Sequence, residues 1–131
     1  MKKDLKIGSE IDNIRIVENT IDEISTKLKI SAEAYGKILV ATLEAVNNAI
    51  VHGNKADQSK SVEVGFISVR DNLTITVKDQ GPGFNPGSVP DPTAPENIEN
   101  IDGRGVFLMK NLCDDISFND IGNEVKMKFK I

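Results

Sequence analysis

The sequence predicts an α+β fold: a two-layer α/β sandwich in which a mixed, mostly antiparallel sheet carries helices on one face. Two observations predict it. Several short stretches alternate apolar and polar residues, the period of a half-buried strand, whereas two longer ones repeat apolar residues every three or four positions, the period of an amphipathic helix. Their order is strand, helix, helix, hairpin, long loop, helix, hairpin, which segregates the helices from a sheet built of hairpins.

The elements follow in chain order. "DLKIG" alternates as a short first strand. Ile11, Ile14, Val17, Ile21, Ile24 and Leu28 then recur at helical steps, with Ser9 and Asp12 read as the N-cap of that helix. A second helix starts at Ser31, keeps the same period through Tyr35, Ile38, Leu39, Val46, Ala49 and Ile50, and stops at Gly53. "SVEVGFISV" and "LTITVKD" alternate on either side of "RDN", the pattern of a hairpin. A Gly- and Pro-rich segment from Gly81 to Gly105 separates them from a short helical "VFLMKNL", whose Val106, Leu108, Met109 and Leu112 have a core-facing pattern. "DISF" and "EVKMKFKI", joined by "NDIGN", complete the sheet. No repeat interrupts this order, so residues 1–131 are expected to form one domain. A loop as long as the Gly/Pro-rich one is unusual inside a compact domain and points to a functional lid.

Composition narrows the function. Across 131 residues, 39% hydrophobic content is enough for a core without disulfide or metal support. Sixteen basic residues against 20 acidic ones give a net charge of −4, which provides no basic field for nucleic acid and no polybasic segment for an anionic membrane. Cys113 is the lone cysteine, and "MKKDLKIGSEIDN" has no apolar run behind its basic start, so the expected address is a reduced cytoplasm.

Three stretches carry residues that a plain α/β core does not need. In "EAVNNAIVHGN", Glu44, Asn48 and His52 are spaced four apart, which stacks them as a polar stripe on one helix face. Two adjacent Asn residues weaken a helix unless their side chains have other partners. The amide oxygen of Asn48 suits Mg²⁺, a hard ion that prefers oxygen, and Glu44 one turn earlier suits a general base. In "VKDQGPGF", Asp79 leaves a strand directly into Gly81 and Gly83, placing a carboxylate acceptor beside backbone that a ligand can approach closely. The stretch reads either as a plain hairpin connector or as a ligand loop, in which an exocyclic amine such as that of adenine fits this acceptor. In "DGRGVFLMKNL", Gly103 and Gly105 stand immediately before a helix, whose unpaired N–H groups form an anion site, and Arg104 adds a planar charged fork suited to phosphate. Neither glycine pair has Walker or Rossmann spacing.

Taken in order, a Glu-x-x-x-Asn-Ala-x-x-His-Gly helix, Asp-x-Gly-x-Gly after a strand, a long loop, and Gly-x-Gly at a helix resemble the Bergerat-fold, histidine-kinase-like ATPases. Within that group the chain most resembles the small bacterial anti-sigma-factor serine/threonine kinases, through "EAVNNAIVHGN", "DQGPGF" and "GRGVFLMKNLCDDI". The resemblance runs from about Leu5 to the C-terminus. It implies ATP and Mg²⁺ as cofactors, Asn48 as the metal ligand, Glu44 as the general base and Asp79 as the adenine partner. It implies nucleotide contact at Gly81, Gly83, Gly103 and Gly105, with Phe84 and Val106 beside them and Asn47 and Arg104 near the phosphates. Residues Asn85 to Asp102 become the ATP lid, stiffened by Pro86, Pro90, Pro92 and Pro95. His52 is read either as a cap at the helix end or as a ligand. The implied activity is phosphorylation of a serine or threonine on an anti-anti-sigma antagonist, together with capture of a sigma factor, in a protein whose relatives are commonly dimers. The other reading is a nucleotide-gated binding module with little kinase turnover.

Overall fold

The computed structural model describes residues 1–82 and 101–131, with the backbone alone for 101–104. Among the described residues five strands form one sheet: β1 (Lys2–Gly8), β2 (Ser61–Val69), β3 (Asn72–Lys78), β4 (Asp115–Phe118) and β5 (Glu124–Lys130), in the spatial order β1-β2-β3-β5-β4. All four pairings are antiparallel.

Register explains the core. Val64 lies opposite Val77 and Val77 opposite Val125, while Phe66, Ile75 and Met127 form the next row, and every one of these side chains is buried. The alternate positions face the other way. There Lys6, Glu63, Lys78 and Glu124 stand side by side across four strands with alternating sign, an arrangement that favours this register over a one-residue slip.

Three helices among the described residues, α1 (Ile14–Leu28), α2 (Ala32–Asn48) and α3 (Ile101–Leu112), make the second layer. α2 lies over β3 and β5 and packs against α1 and α3. Its buried stripe is Ile38, Ala41, Thr42, Ala45 and Val46, and α1 contributes Val17, Ile21 and Ile24. The Ser31 side chain accepts from the Ala34 N–H at 3.2 Å and caps α2, at the residue where the sequence starts that helix.

Two boundaries differ from expectation. Ser9 does not cap α1. Its N–H and Oγ both donate to the Lys60 carbonyl, at 3.2 and 2.8 Å, so a tertiary contact takes up the hydroxyl. The chain enters α1 through a 3₁₀ turn (Ile11–Asn13) with Ile11 half exposed, and the Asn13 side chain donates to the Gly8 carbonyl at 2.9 Å instead of capping the helix. α3 begins at Ile101, earlier than the glycines suggested, so Gly103 and Gly105 fall inside its first turns and not before them. Glycine is a poor helix former, which is why this stretch reads as loop locally.

α2 does not stop at Asn48. It widens into a single π turn (Ala49–Gly53), with the Asn54 N–H reaching the Ala49 carbonyl at 2.8 Å. π turns are rare and concentrate at functional sites. Among the described residues, no helix is long and apolar enough to cross a membrane.

Candidate functional site

The π turn carries the chain from Asn48 to Gly53, roughly 7 Å of helix axis, and each end of it meets one of the glycine motifs.

At the Gly53 end stands Asp79, the first residue after β3. The Asp79 N–H donates to the Asn123 carbonyl at 2.9 Å, and its Oδ1 accepts from the Gly81 N–H at 2.7 Å. The carboxylate lies directly on Gly53, where an added β-carbon would fall 2.3 Å from Asp79 Cγ and Oδ2. A β-carbon at Gly81 would fall 2.0 Å from the Gly53 carbonyl oxygen. No side chain fits at either glycine without moving backbone or displacing the carboxylate. Asp79 is therefore held against bare backbone on two sides.

Burial pushes the Asp79 carboxyl above its ordinary value, and the Gly81 N–H opposes this by favouring the charged form. A carboxyl whose folded value is raised adds stability at low pH and loses it as pH rises through that value. Asp79→Asn, which keeps the acceptor for Gly81 but removes the charge, is accordingly expected to melt higher than the parent at pH 7 without nucleotide. The difference should shrink as pH falls toward the ordinary carboxylate range, as two parallel melting series against pH will record. A variant that melts lower at pH 7 means that the ionised form is the stabilising one.

At the Asn48 end, α3 crosses α2. A β-carbon at Gly105 would lie 3.0 Å from Asn48 Nδ2, 3.3 Å from Asn48 Oδ1 and 3.1 Å from Glu44 Oε2. The carboxylate and the amide thus adjoin the same bare point of α3 backbone. Both residues are half-buried, so the expected polar stripe lies partly beneath α3, while His52 further along is exposed.

Glu44, Asn48, Asp79, Gly81 and Gly105 are thereby gathered around the last turns of one helix. Asn47 is half-buried beside Asn48, and Val106 is buried in the core, 4% exposed. Gly83, Phe84, the Arg104 side chain and the lid expected over Asn85 to Asp102 lie outside the described residues, apart from the backbone at 101 and 102; Gly103 is described only as helical backbone. Two participants escaped sequence reading. Gly53 reads simply as a helix stop, and its contact with Asp79 has no local signal. Asn54 ends the same stretch with no role assigned to it from sequence, yet it is 1% exposed.

The chemistry of the donor set is specific. Among the described residues no three His, Cys, Asp or Glu side chains cluster as a metal cage. One amide oxygen beside one carboxylate suits an ion that takes most of its ligands from phosphates and water, the usual habit of Mg²⁺.

Residues 7–129 match the family model described as a histidine kinase-like ATPase domain. Among curated proteins, the chain is 30% identical over 131 residues to the serine-protein kinase RsbW of Bacillus licheniformis, a match covering 95% of this chain and 82% of that one. It is 25% identical over 123 residues to the serine-protein kinase RsbW of Oceanobacillus iheyensis, covering 89% and 78%. With the protein of the same name from Bacillus subtilis (strain 168), identity is 22% over 119 residues, covering 86% and 74%.

Proposed function

The chain belongs to the histidine kinase-like ATPase domain family, and from that premise we propose that it is a Mg²⁺-ATP-dependent serine/threonine protein kinase of the anti-sigma type. In this reading it acts in the cytoplasm, phosphorylates an anti-anti-sigma antagonist and sequesters a sigma factor. The observation that carries the proposal is the meeting of Glu44, Asn48 and Gly105 at one end of the π turn with Gly53, Asp79 and Gly81 at the other. The names of the relatives, serine-protein kinases all, support the reaction class.

Each residue has a physical task. Asp79 accepts a hydrogen bond from the adenine amine, and the bare backbone of Gly53 and Gly81, packed around its carboxylate, holds that acceptor in place. Gly83 and Phe84 extend that edge. Asn48 offers its amide oxygen to Mg²⁺, which when bound neutralises charge on the triphosphate. Asn47, Gly103, Arg104 and Gly105 serve the phosphates, with Val106 securing α3 behind them. Glu44 takes the proton of the attacking hydroxyl. Phosphoryl transfer needs little covalent work beyond such positioning and charge neutralisation.

The deciding assay incubates the protein with γ-labelled ATP and an antagonist-domain protein. Label on a serine or threonine of that protein is the expected result. Tight nucleotide binding with no transfer to any candidate would replace the kinase by the nucleotide-gated binding module. The adenine contact has its own measurement: Asp79→Asn is expected to weaken ADP binding by about 1–3 kcal/mol, the scale for losing a hydrogen bond to a charged group. Unchanged affinity in calorimetry removes Asp79 from the adenine site.

A further inference from the structure

Asn54 follows the π turn directly, and every polar atom of its side chain is engaged. Nδ2 donates to Ser9 Oγ at 2.8 Å and to the Ser61 carbonyl at 3.0 Å, and Oδ1 accepts from the Gln80 N–H at 2.7 Å. Its backbone N–H returns to the Ala49 carbonyl at 2.8 Å. One buried amide therefore joins the end of α2, the end of β1, the start of β2 and the turn that follows β3.

That turn is the one bearing Asp79. Its three successive N–H groups have three different acceptors: Asp79 donates to Asn123, Gln80 to Asn54, and Gly81 back to the Asp79 carboxylate. Of these, only the Gln80 bond ties the turn to the helix end, where Gly53 packs on the Asp79 carboxylate and its carbonyl on Gly81. The Gln80 side chain adds a second tie to the same strand start, its Oε1 accepting from the Ser61 N–H at 2.6 Å.

We propose that Asn54 is a positioning residue for nucleotide recognition: it fixes the Asp79–Gly81 turn against Gly53 and so sets nucleotide affinity, without taking part in phosphoryl transfer. The inference rests on the nucleotide reading above and adds to it a residue outside the three sequence motifs' assigned contacts. Removing this amide deletes the Gln80 bond that ties the turn to the helix end and takes one partner from the buried Ser9 hydroxyl and one from the Ser61 carbonyl, which loosens the turn.

The experiment compares the parent with Asn54→Ala and Ser9→Ala. It reads ADP affinity by calorimetry, KM and kcat for ATP in the transfer assay, and amide hydrogen exchange of the ligand-free proteins. For Asn54→Ala the expected result is an ADP dissociation constant and a KM raised about 10–100-fold, with kcat within about threefold and exchange at Gln80 accelerated relative to Ile75 in β3. Ser9→Ala keeps the bond to Gln80 but loosens Asn54, so a smaller rise of about two- to fivefold is expected; if Asn54→Ala does not fold, this variant decides, and an unchanged ADP affinity overturns the proposal. A lowered melting temperature with ADP affinity and KM unchanged in Asn54→Ala marks a merely structural amide and also overturns it. A parent protein that binds no ADP overturns the nucleotide reading, whereas a parent that binds it no better than Asn54→Ala overturns the role of Asn54 alone.

Discussion

Val46→Asp is expected to yield a chain with no cooperative thermal transition. Val46 is fully buried on the stripe of α2 that faces the core, with Ala45, Ala49 and Ile50 beside it on the same helix. A carboxylate there has no partner. Burying it costs several kcal/mol even after it takes up a proton, and losing the two methyl groups adds about 2 kcal/mol. A domain of this size is stable by about 5–15 kcal/mol, so one such residue consumes most or all of the margin. Val40→Asp is the matching control. Val40 lies on the same helix but is 43% exposed, and the change there is expected to stay within about 0.5 kcal/mol. Circular dichroism melts of the two variants separate loss of the core from loss of helix propensity, which the substitutions share. A cooperative transition in Val46→Asp near that of the parent would mean that α2 presents a different face to the sheet.

That α2 face was legible in the sequence because burial is periodic and local: Ile38, Val46, Ala49 and Ile50 follow one spacing, and the strands alternate where the sheet has one covered side. Ser31 was legible for the same reason, since a cap bonds three residues away. What failed was any feature whose cause lies far along the chain. The Ser9 hydroxyl bonds residue 60, and Gly53 is bare because Asp79, from the turn after β3, lies on it. "AIVHG" has nothing that distinguishes a π turn from an ordinary one. The start of α3 failed differently: two glycines lower helix propensity, but Gly105 sits in a helix where its bare backbone meets Asn48 and Glu44, so tertiary contact overrides local preference. The site residues were individually visible as out-of-place polar or glycine positions. Their convergence came from the resemblance, not from spacing.

The convergence also separates binding from chemistry. Asp79, Gly53, Gly81 and Asn54 form one connected set at the sheet end of the π turn, built of hydrogen bonds and close backbone contact, while Glu44 and Asn48 lie at the other end under α3. Changes in the first set are expected to move affinity, and changes at Glu44 to move rate.

Glu44→Gln is therefore expected to lower the rate of phosphoryl transfer by about 10²–10⁴-fold, the contribution of a positioned general base, with ADP affinity little changed. Gln has the same shape as Glu and still offers an oxygen near Gly105, but it takes up no proton at neutral pH. The neighbouring Asn48 amide, within reach of the same point of α3 backbone, keeps its place. If binding and rate fell together, Glu44 would be holding the nucleotide or its metal and not accepting a proton, and the loss would ease as Mg²⁺ is raised. If the rate were unchanged at saturating ATP and partner, the proton would leave by another route and catalysis would rest on positioning alone. Single-turnover transfer measured beside calorimetric ADP binding distinguishes the three outcomes, because only a base acting in the chemical step lowers kcat and kcat/KM equally while ground-state affinity stays put.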